Sequence, residues 1–330
     1  MVVVHLAISI VIILLGARFF TNGVEWLGVR LGLARGAVGS VLAAIGTALP
    51  ETIIPVTAFL SGRGEAAEEV GVGAILGAPF MLSTAGLALA GCAAMLCRRG
   101  GEGLAVDRGC VYRDLRFFLM AYVSAILAAF LPGWMRVAVV AVLLTTYLVF
   151  FISALTQGPR CTEGENLVPL LVAPRFYRPP LALIFAQVLF AFGLIMGGAR
   201  VFVEAVGWMA YELGIPVVVF SLLLAPLATE MPELSNSVLW IRERKDTLAL
   251  GNITVAMVFQ SSVVPCLGIM FTPWKLTPAA LASALLALGS AALTCAYLVR
   301  KGYLNSLLLC FSGICFYLAY CGAVILLGLK

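Results

Sequence analysis

Charge is scarce in this chain. Of 330 residues, 21 are Lys or Arg and 16 are Asp or Glu. A soluble domain is about one quarter charged and about half apolar. An ordinary cytosolic enzyme is therefore excluded, and so is a disordered chain. Histidine is reduced to His5. That removes a His-based metal centre and a Ser-His-Asp triad, and no other nucleophile–base pair stands out for an intramembrane enzyme. There is no Walker A sequence and no G-x-G-x-x-G following a strand, so no soluble cofactor is expected. No basic tract interleaves with aromatics, which argues against nucleic acid. The nine cysteines (Cys92, Cys97, Cys110, Cys161, Cys266, Cys295, Cys310, Cys315 and Cys321) contain no C-x-x-C. Most lie in apolar runs and are expected to act as small core hydrophobes, not as a disulfide scaffold. The N-terminus has no basic n-region, so its apolar run reads as a first span, not as a signal peptide.

What the chain has in abundance is hydrophobicity, 62% of residues, with mean hydropathy +1.09. Such a composition predicts a helical membrane protein with many spans. Ten candidate spans approach or exceed the ~20 residues that a bilayer requires. They cover 2–22, 36–60, 68–96, 117–132, 136–156, 181–206, 215–241, 247–271, 277–299 and 304–328. With the N-terminus outside, 16 Lys and Arg fall on the cytoplasmic side and 5 on the outer side, a positive-inside bias. The segment 157–180 is then a cytoplasmic linker too short for a regulatory domain.

The two halves repeat. Gly16-Ala17-Arg18 returns as Gly198-Ala199-Arg200, Val24 and Trp26 as Val206 and Trp208, and Leu31-Gly32 as Leu213-Gly214. Thr47 returns as Thr229 and Pro50-Glu51 as Pro232-Glu233, all at an offset of 182. Further on, 73–82 matches 251–260 at an offset of 178. Five spans per half is an odd number, so the second half enters the membrane from the opposite side. The expected fold is all-α: ten transmembrane helices in two inverted repeats, 1–156 and 181–330, with discontinuous helices meeting at a midplane site.

Three carboxylates sit inside the expected spans: Glu51, Glu230 and Glu233. A charge near the bilayer centre costs on the order of 3 kcal/mol on insertion scales and needs a partner or a wet cavity. Pro50 and Pro232 each remove an N–H donor and free a carbonyl about one turn earlier. Thr47 and Glu51 are four apart on one face, as are Thr229 and Glu233. Asn252, Ala256 and Gln260 share a face of the eighth span, and its two amides are expected to line the same cavity. The result is a hard, oxygen-rich cage suited to a cation such as calcium, which accepts 6–8 oxygens. Thiolate and imidazole are missing from these segments, against zinc or copper. Gly71, Gly73 and Gly77 fit close helix packing at least as well as a ligand role.

These motifs resemble the alpha repeats of the sodium/calcium exchanger superfamily, the calcium/cation antiporters. One copy reads Gly46-Thr47-Ala48-Leu49-Pro50-Glu51 with 73–82; the other reads Ala228-Thr229-Glu230-Met231-Pro232-Glu233 with 251–260. The resemblance implies calcium held by Glu51, Glu233 and the backbone at Thr47 and Thr229, with calcium as transported substrate and no resident cofactor. The family's sodium ligands fall at Ala48, Glu230, Ala78, Ala256, Leu82 and Gln260, where most hydroxyls are gone. Glu230 instead adds a third carboxylate, which points to protons as counter-ion. The expected metal-binding set is thus Glu51, Glu233, Thr47, Thr229, Glu230, Asn252 and Gln260. The expected activity is secondary antiport of calcium against protons or sodium, in a bacterial inner membrane. The expected partners are inorganic cations and the lipid bilayer. Exchange of another cation for protons, or cation sensing without transport, are the competing readings.

Overall fold

The computed structural model describes residues 2–30, 51–60, 64–98, 103–156, 168–176 and 178–328. Thr47 and Ala48 lie outside these residues, as does the first part of the expected span 36–60. Apart from one bridge, Leu104 to Leu304, the regular structure among the described residues is helical. Helix α1 covers Val2–Arg30, α2 Glu51–Leu60 and α3 Glu65–Met81. A π-helical turn, Leu82–Gly86, joins α3 to α4, Leu87–Cys97. Then come α5 (Arg108–Leu127), α6 (Gly133–Thr156), α7 (Leu181–Leu213), α8 (Val217–Thr229) and α9 (Met231–Arg242). The chain closes with α10 (Asp246–Phe271), α11 (Pro278–Lys301) and α12 (Ser306–Leu327).

Among the described residues, seven helical stretches are long and apolar enough to cross a membrane. They are α1, α3 with α4, α6, α7, α10, α11 and α12. Helices α8 and α9, bent by 54° at their junction, form an eighth as a broken span. The fourth expected span, 117–132, is displaced. Its helix begins at Arg108, capped by the Asp107 carboxylate, which accepts from the Gly109 and Cys110 amides. It gives way to a 3-10 turn at Ala128–Phe130, just before Pro132. The hydropathy reading skipped its first two turns because they carry Arg108, Arg113, Asp114 and Arg116. Two of those charges are buried against each other: Arg113 donates to Asp114 at 2.7 Å. Helices α1 and α7 also run past the expected 2–22 and 181–206. Gly214, at φ 64°, supplies the left-handed residue that stops α7.

Helices α1 and α7 pack antiparallel at glycines. A Cβ on Gly16 would lie 2.7 Å from Ile195, and one on Gly198 would lie 2.9 Å from Ile13. Both the glycines and the isoleucines are 182 apart, so each contact is the mate of the other. A second close approach joins α3 to α8. A Cβ on Gly73 would lie 2.6 Å from the Val218 carbonyl, and one on Gly77 would collide with the Leu222 carbonyl. Ser221 of α8 donates to the Val70 carbonyl at 2.7 Å in the same seam. These glycines therefore serve packing, the blander of the two expectations for them.

At one end of the bundle Arg98 and Asp246 form a buried ion pair, with a second hydrogen bond between them of 2.9 Å. The Ala105 amide also donates to Asp246, at 2.7 Å. This tie binds the segment after α4 to the start of α10. Seven cysteines are free thiols. Cys110 departs from the expectation and is disulfide-bonded.

Candidate functional site

The break between α8 and α9 builds one side of the site. Pro226 lies within α8, and Pro232 opens α9, where its missing N–H leaves no helical bond unmade. Glu230 caps both helices: its amide bonds the Pro226 carbonyl at 2.8 Å and its carbonyl accepts from Leu234 at 3.0 Å. Two carboxylates that an unbroken helix would send along its flank are thereby turned inward together. Glu233 sits in the first turn of α9, where the positive end of the helix dipole favours a carboxylate.

Glu51, at the start of the described part of α2, meets them from the other half of the chain. Glu51, Glu230 and Glu233 are all buried, and one oxygen from each lies within 4.8 Å of the others. Glu230 Oε1 accepts from Gln260 Nε2 at 2.5 Å and from Thr229 Oγ1 at 3.3 Å. Glu51 Oε2, Glu230 Oε2 and Gln260 Oε1 have no hydrogen-bond partner among the described residues. Buried acceptors normally find a donor, so these oxygens mark a place prepared for something electropositive. The buried arginines are engaged elsewhere, Arg98 with Asp246 and Arg113 with Asp114.

Beside these groups, reached by Glu51 and Gln260 but not lined by Glu230 or Glu233, lies a small gap of ≈ 10 Å³. That is about the space one water molecule needs, so an ion fits and an organic solute does not. Glu51 and Ile54 line it from α2, Ala74, Ile75 and Ala78 from α3, Ala225 and Thr229 from α8, and Gln260 and Val264 from α10. The wall from α3 is wholly apolar. Leu82 falls in the π-helical turn, away from the lining, and Ala256 is not part of it either.

Asn252 departs from its expected place. Its amide donates to the Glu233 main-chain carbonyl at 3.1 Å and to Ser237 Oγ at 3.4 Å, while Ser237 donates to the Ala249 carbonyl at 3.1 Å. It holds the backbone beneath Glu233 and does not line the gap. Besides Asp246, the reading also missed the buried carboxylate of Asp114, which accepts from Thr254 at 2.8 Å and from Arg113. Its position beside three arginines made it look like part of a loop. A paired Arg-Asp at adjacent positions is the signal that would have placed it inside.

The arrangement defines an integral membrane protein whose broken and glycine-packed helices enclose an ion-sized gap beside three buried carboxylates. The family described as "Sodium/calcium exchanger protein" matches residues 1–156 and 183–329. The candidate antiporter CaxA of Alkalimonas amylolytica is 24% identical over 280 residues, covering 84% of this chain and 83% of its own. Inner membrane protein YrbG of Escherichia coli K12 is 24% identical over 246 residues, 74% of this chain and 71% of its own. Among solved structures, the H+/Ca2+ exchanger CAX superposes with a TM-score of 0.74 at 16% identity, over 98% of this chain and 82% of that one. The sodium-calcium exchanger NCX_Mj superposes with a TM-score of 0.59 at 18% identity, over 98% of this chain and 99% of that one. The chain belongs to the sodium/calcium exchanger family, whose members are membrane secondary transporters that exchange cations, and not enzymes.

Proposed function

We propose that this protein exchanges calcium for protons by alternating access. The observation that carries the reading is the trio of buried carboxylates, one oxygen of each within 4.8 Å of the others, beside an ion-sized gap that Glu51 lines. Glu51 and Glu233 hold the ion, helped by backbone oxygens at Thr47 and Thr229. Three carboxylates facing one divalent cation leave a formal charge of −1 if all ionise. In a dry site that surplus favours keeping one proton while calcium is bound, and more once it has left. Calcium entry then expels protons from carboxylate oxygens, and proton entry expels calcium. Glu230 is the carboxylate held by Gln260 and Thr229, which leaves Glu51 and Glu233 to the metal. The apolar wall of Ala74 and Ala78 offers no hydroxyl or amide to sodium.

The two folds compared above belong to a proton-coupled and a sodium-coupled exchanger, so likeness of fold leaves the counter-ion open. One observation favours sodium: Gln260 Oε1 is a neutral oxygen at the gap with no hydrogen-bond partner among the described residues. The ten-helix architecture of two inverted halves, 1–156 and 181–330 joined by 157–180, is part of the proposal. The family match to 1–156 and 183–329 and the mated glycine contacts of α1 and α7 support it. A bacterial inner membrane with the N-terminus outside completes it, supported by the distribution of basic residues. The test is calcium flux into proteoliposomes under an imposed pH gradient without sodium. Flux that ignores the pH gradient and follows a sodium gradient overturns proton coupling. Calcium binding without flux under either gradient overturns transport in favour of sensing.

A further inference from the structure

Helix α12 packs tightly on α4 at Gly91. A Cβ there would lie 2.6 Å from both the Cys310 amide nitrogen and the Ser306 carbonyl oxygen. Cys92 follows Gly91 on α4, so this backbone contact sets it beside Cys310 of α12. Both are free thiols. A disulfide requires Cα atoms within about 7 Å, an approach that helices make where a glycine lets the backbones touch. Cys310 is buried, whereas Cys92 opens onto an apolar groove of ≈ 260 Å³ between the two helices, with Ala88, Ile314, Tyr317 and Leu318 beside it. The exposed apolar side chains of Leu89, Ile314 and Leu318 place that groove against lipid.

The pair also sits next to the site's scaffold. Helix α4 continues through the π-helical turn Leu82–Gly86 into α3, whose Ala74 and Ala78 wall the acidic gap. Helix α12 presses on the same turn, with Gly313 against the Thr84 carbonyl. The Ser290 hydroxyl of α11 donates to the Ser83 carbonyl there at 2.6 Å. A π-helical turn is a local departure from α geometry, frequent at functional sites. It is the point where α3 can shift relative to α4.

We propose that Cys92 and Cys310 form a redox site whose oxidation to an interhelical disulfide arrests exchange. The two thiols give up two protons and two electrons, and one S–S bond forms. A two-electron oxidant of the quinone or diazene class takes both electrons and both protons, becoming the quinol or the hydrazine. The groove admits such an apolar oxidant from the bilayer. The new bond ties α12 to α4 beside the turn and removes the freedom of α3 to move. This inference does not depend on which cation is carried.

The test treats the protein in proteoliposomes with diamide, then maps cysteines by mass spectrometry and measures cation flux. The expected result is a Cys92–Cys310 linked peptide two hydrogens lighter than the free pair, with loss of most flux. Dithiothreitol reverses both. Cys92→Ser and Cys310→Ser each keep their flux after diamide. If Cys310→Ser fails to fold, the half-buried Cys92→Ser carries the comparison. Linkage through Cys315 or Cys321 instead, flux loss that persists in the serine variants, or the expected linkage with unchanged flux overturns the proposal. A protein with no flux under any gradient fails the antiport reading instead; absence of the linked peptide then still overturns this one.

Discussion

Replacing Glu233 with glutamine keeps the size of the side chain and removes one of three negative charges. Two effects of opposite sign follow. With 4.8 Å as the side of an equilateral triangle, the centre lies ~2.8 Å from each oxygen, slightly beyond the ≈ 2.3–2.6 Å of calcium–oxygen contacts. A small inward movement completes the coordination. At an effective dielectric of ~20, a divalent ion ~2.8 Å from one unit charge gains a gross ~12 kcal/mol. Desolvation offsets most of it, and losing one partner of a buried pair leaves a net deficit of about 3–5 kcal/mol. That is roughly two to four decades in calcium affinity. In the empty protein the sign reverses. At alkaline pH, where the emptied site gives up its protons, two ionised carboxylates no more than 4.8 Å apart repel by about 3.5 kcal/mol or more at the same dielectric. Glu233→Gln should therefore raise the unfolding temperature in chelator at alkaline pH by a few degrees, while Glu51→Gln does the same from the other half. The assay pairs thermal unfolding in detergent with calcium titration of flux in proteoliposomes. A variant that is merely misfolded loses both affinity and heat stability. Wild-type calcium dependence in both variants, with no stabilisation in chelator, refutes the assignment of these carboxylates.

Three further outcomes follow from the packing. Arg98→Met leaves Asp246 buried without its ion-pair partner and should destabilise by about 3–5 kcal/mol, which Arg98→Met with Asp246→Leu largely restores; thermal unfolding reads both. Gly77→Ala pushes a methyl into the Leu222 carbonyl and should cost about 1–3 kcal/mol by overpacking. Gly207→Ala, with nothing within 4 Å of the new Cβ, should stay within about 0.5 kcal/mol and serves as control. Asn252→Ala frees the Glu233 carbonyl from its donor and should weaken calcium dependence of flux about tenfold, the equivalent of a hydrogen bond of ~1–1.5 kcal/mol.

The Pro-Glu pairs were legible because both residue types are costly in an apolar helix, so finding them at matched positions demands a purpose. The structure brings oxygens of Glu51, Glu230 and Glu233 within 4.8 Å of one another and breaks the helix at Glu230, two residues before Pro232. Asp114 and Asp246 were not legible. Each lies near a helix end, where charge is ordinary, and each owes its burial to a partner about 140 residues away in sequence. Helical periodicity also merged two roles that the structure separates. Asn252 and Gln260 share a face, but eight residues place them ~12 Å apart along the axis. At Gln260 that face meets the gap; at Asn252 it meets the backbone of α9. The π-helical turn has no sequence signature beyond Pro79 one turn before it, and the start of α5 was hidden by its own charges.

The size of the gap follows from the backbone contacts around it. Gly73 and Gly77 let α3 settle on the carbonyls of α8, which leaves Ala74 and Ala78 facing inward with short side chains and no room for a solute. The break at Glu230 brings the carboxylates of Glu230 and Glu233 together beside Glu51, which lines the gap. The scaffold contact between α1 and α7 is mated residue for residue, yet the lining among the described residues is not: Gln260 faces the gap from one half, while its mate Leu82 lies in the π-helical turn and does not. A repeat that keeps its packing but not its polar lining is constrained by helix contacts in the first case and by ion chemistry in the second. The chemistry that remains is carboxylate rather than hydroxyl. Carboxylates are the side chains that can both hold a divalent cation and take a proton when it leaves, which is why the proposed cycle asks both tasks of the same three groups.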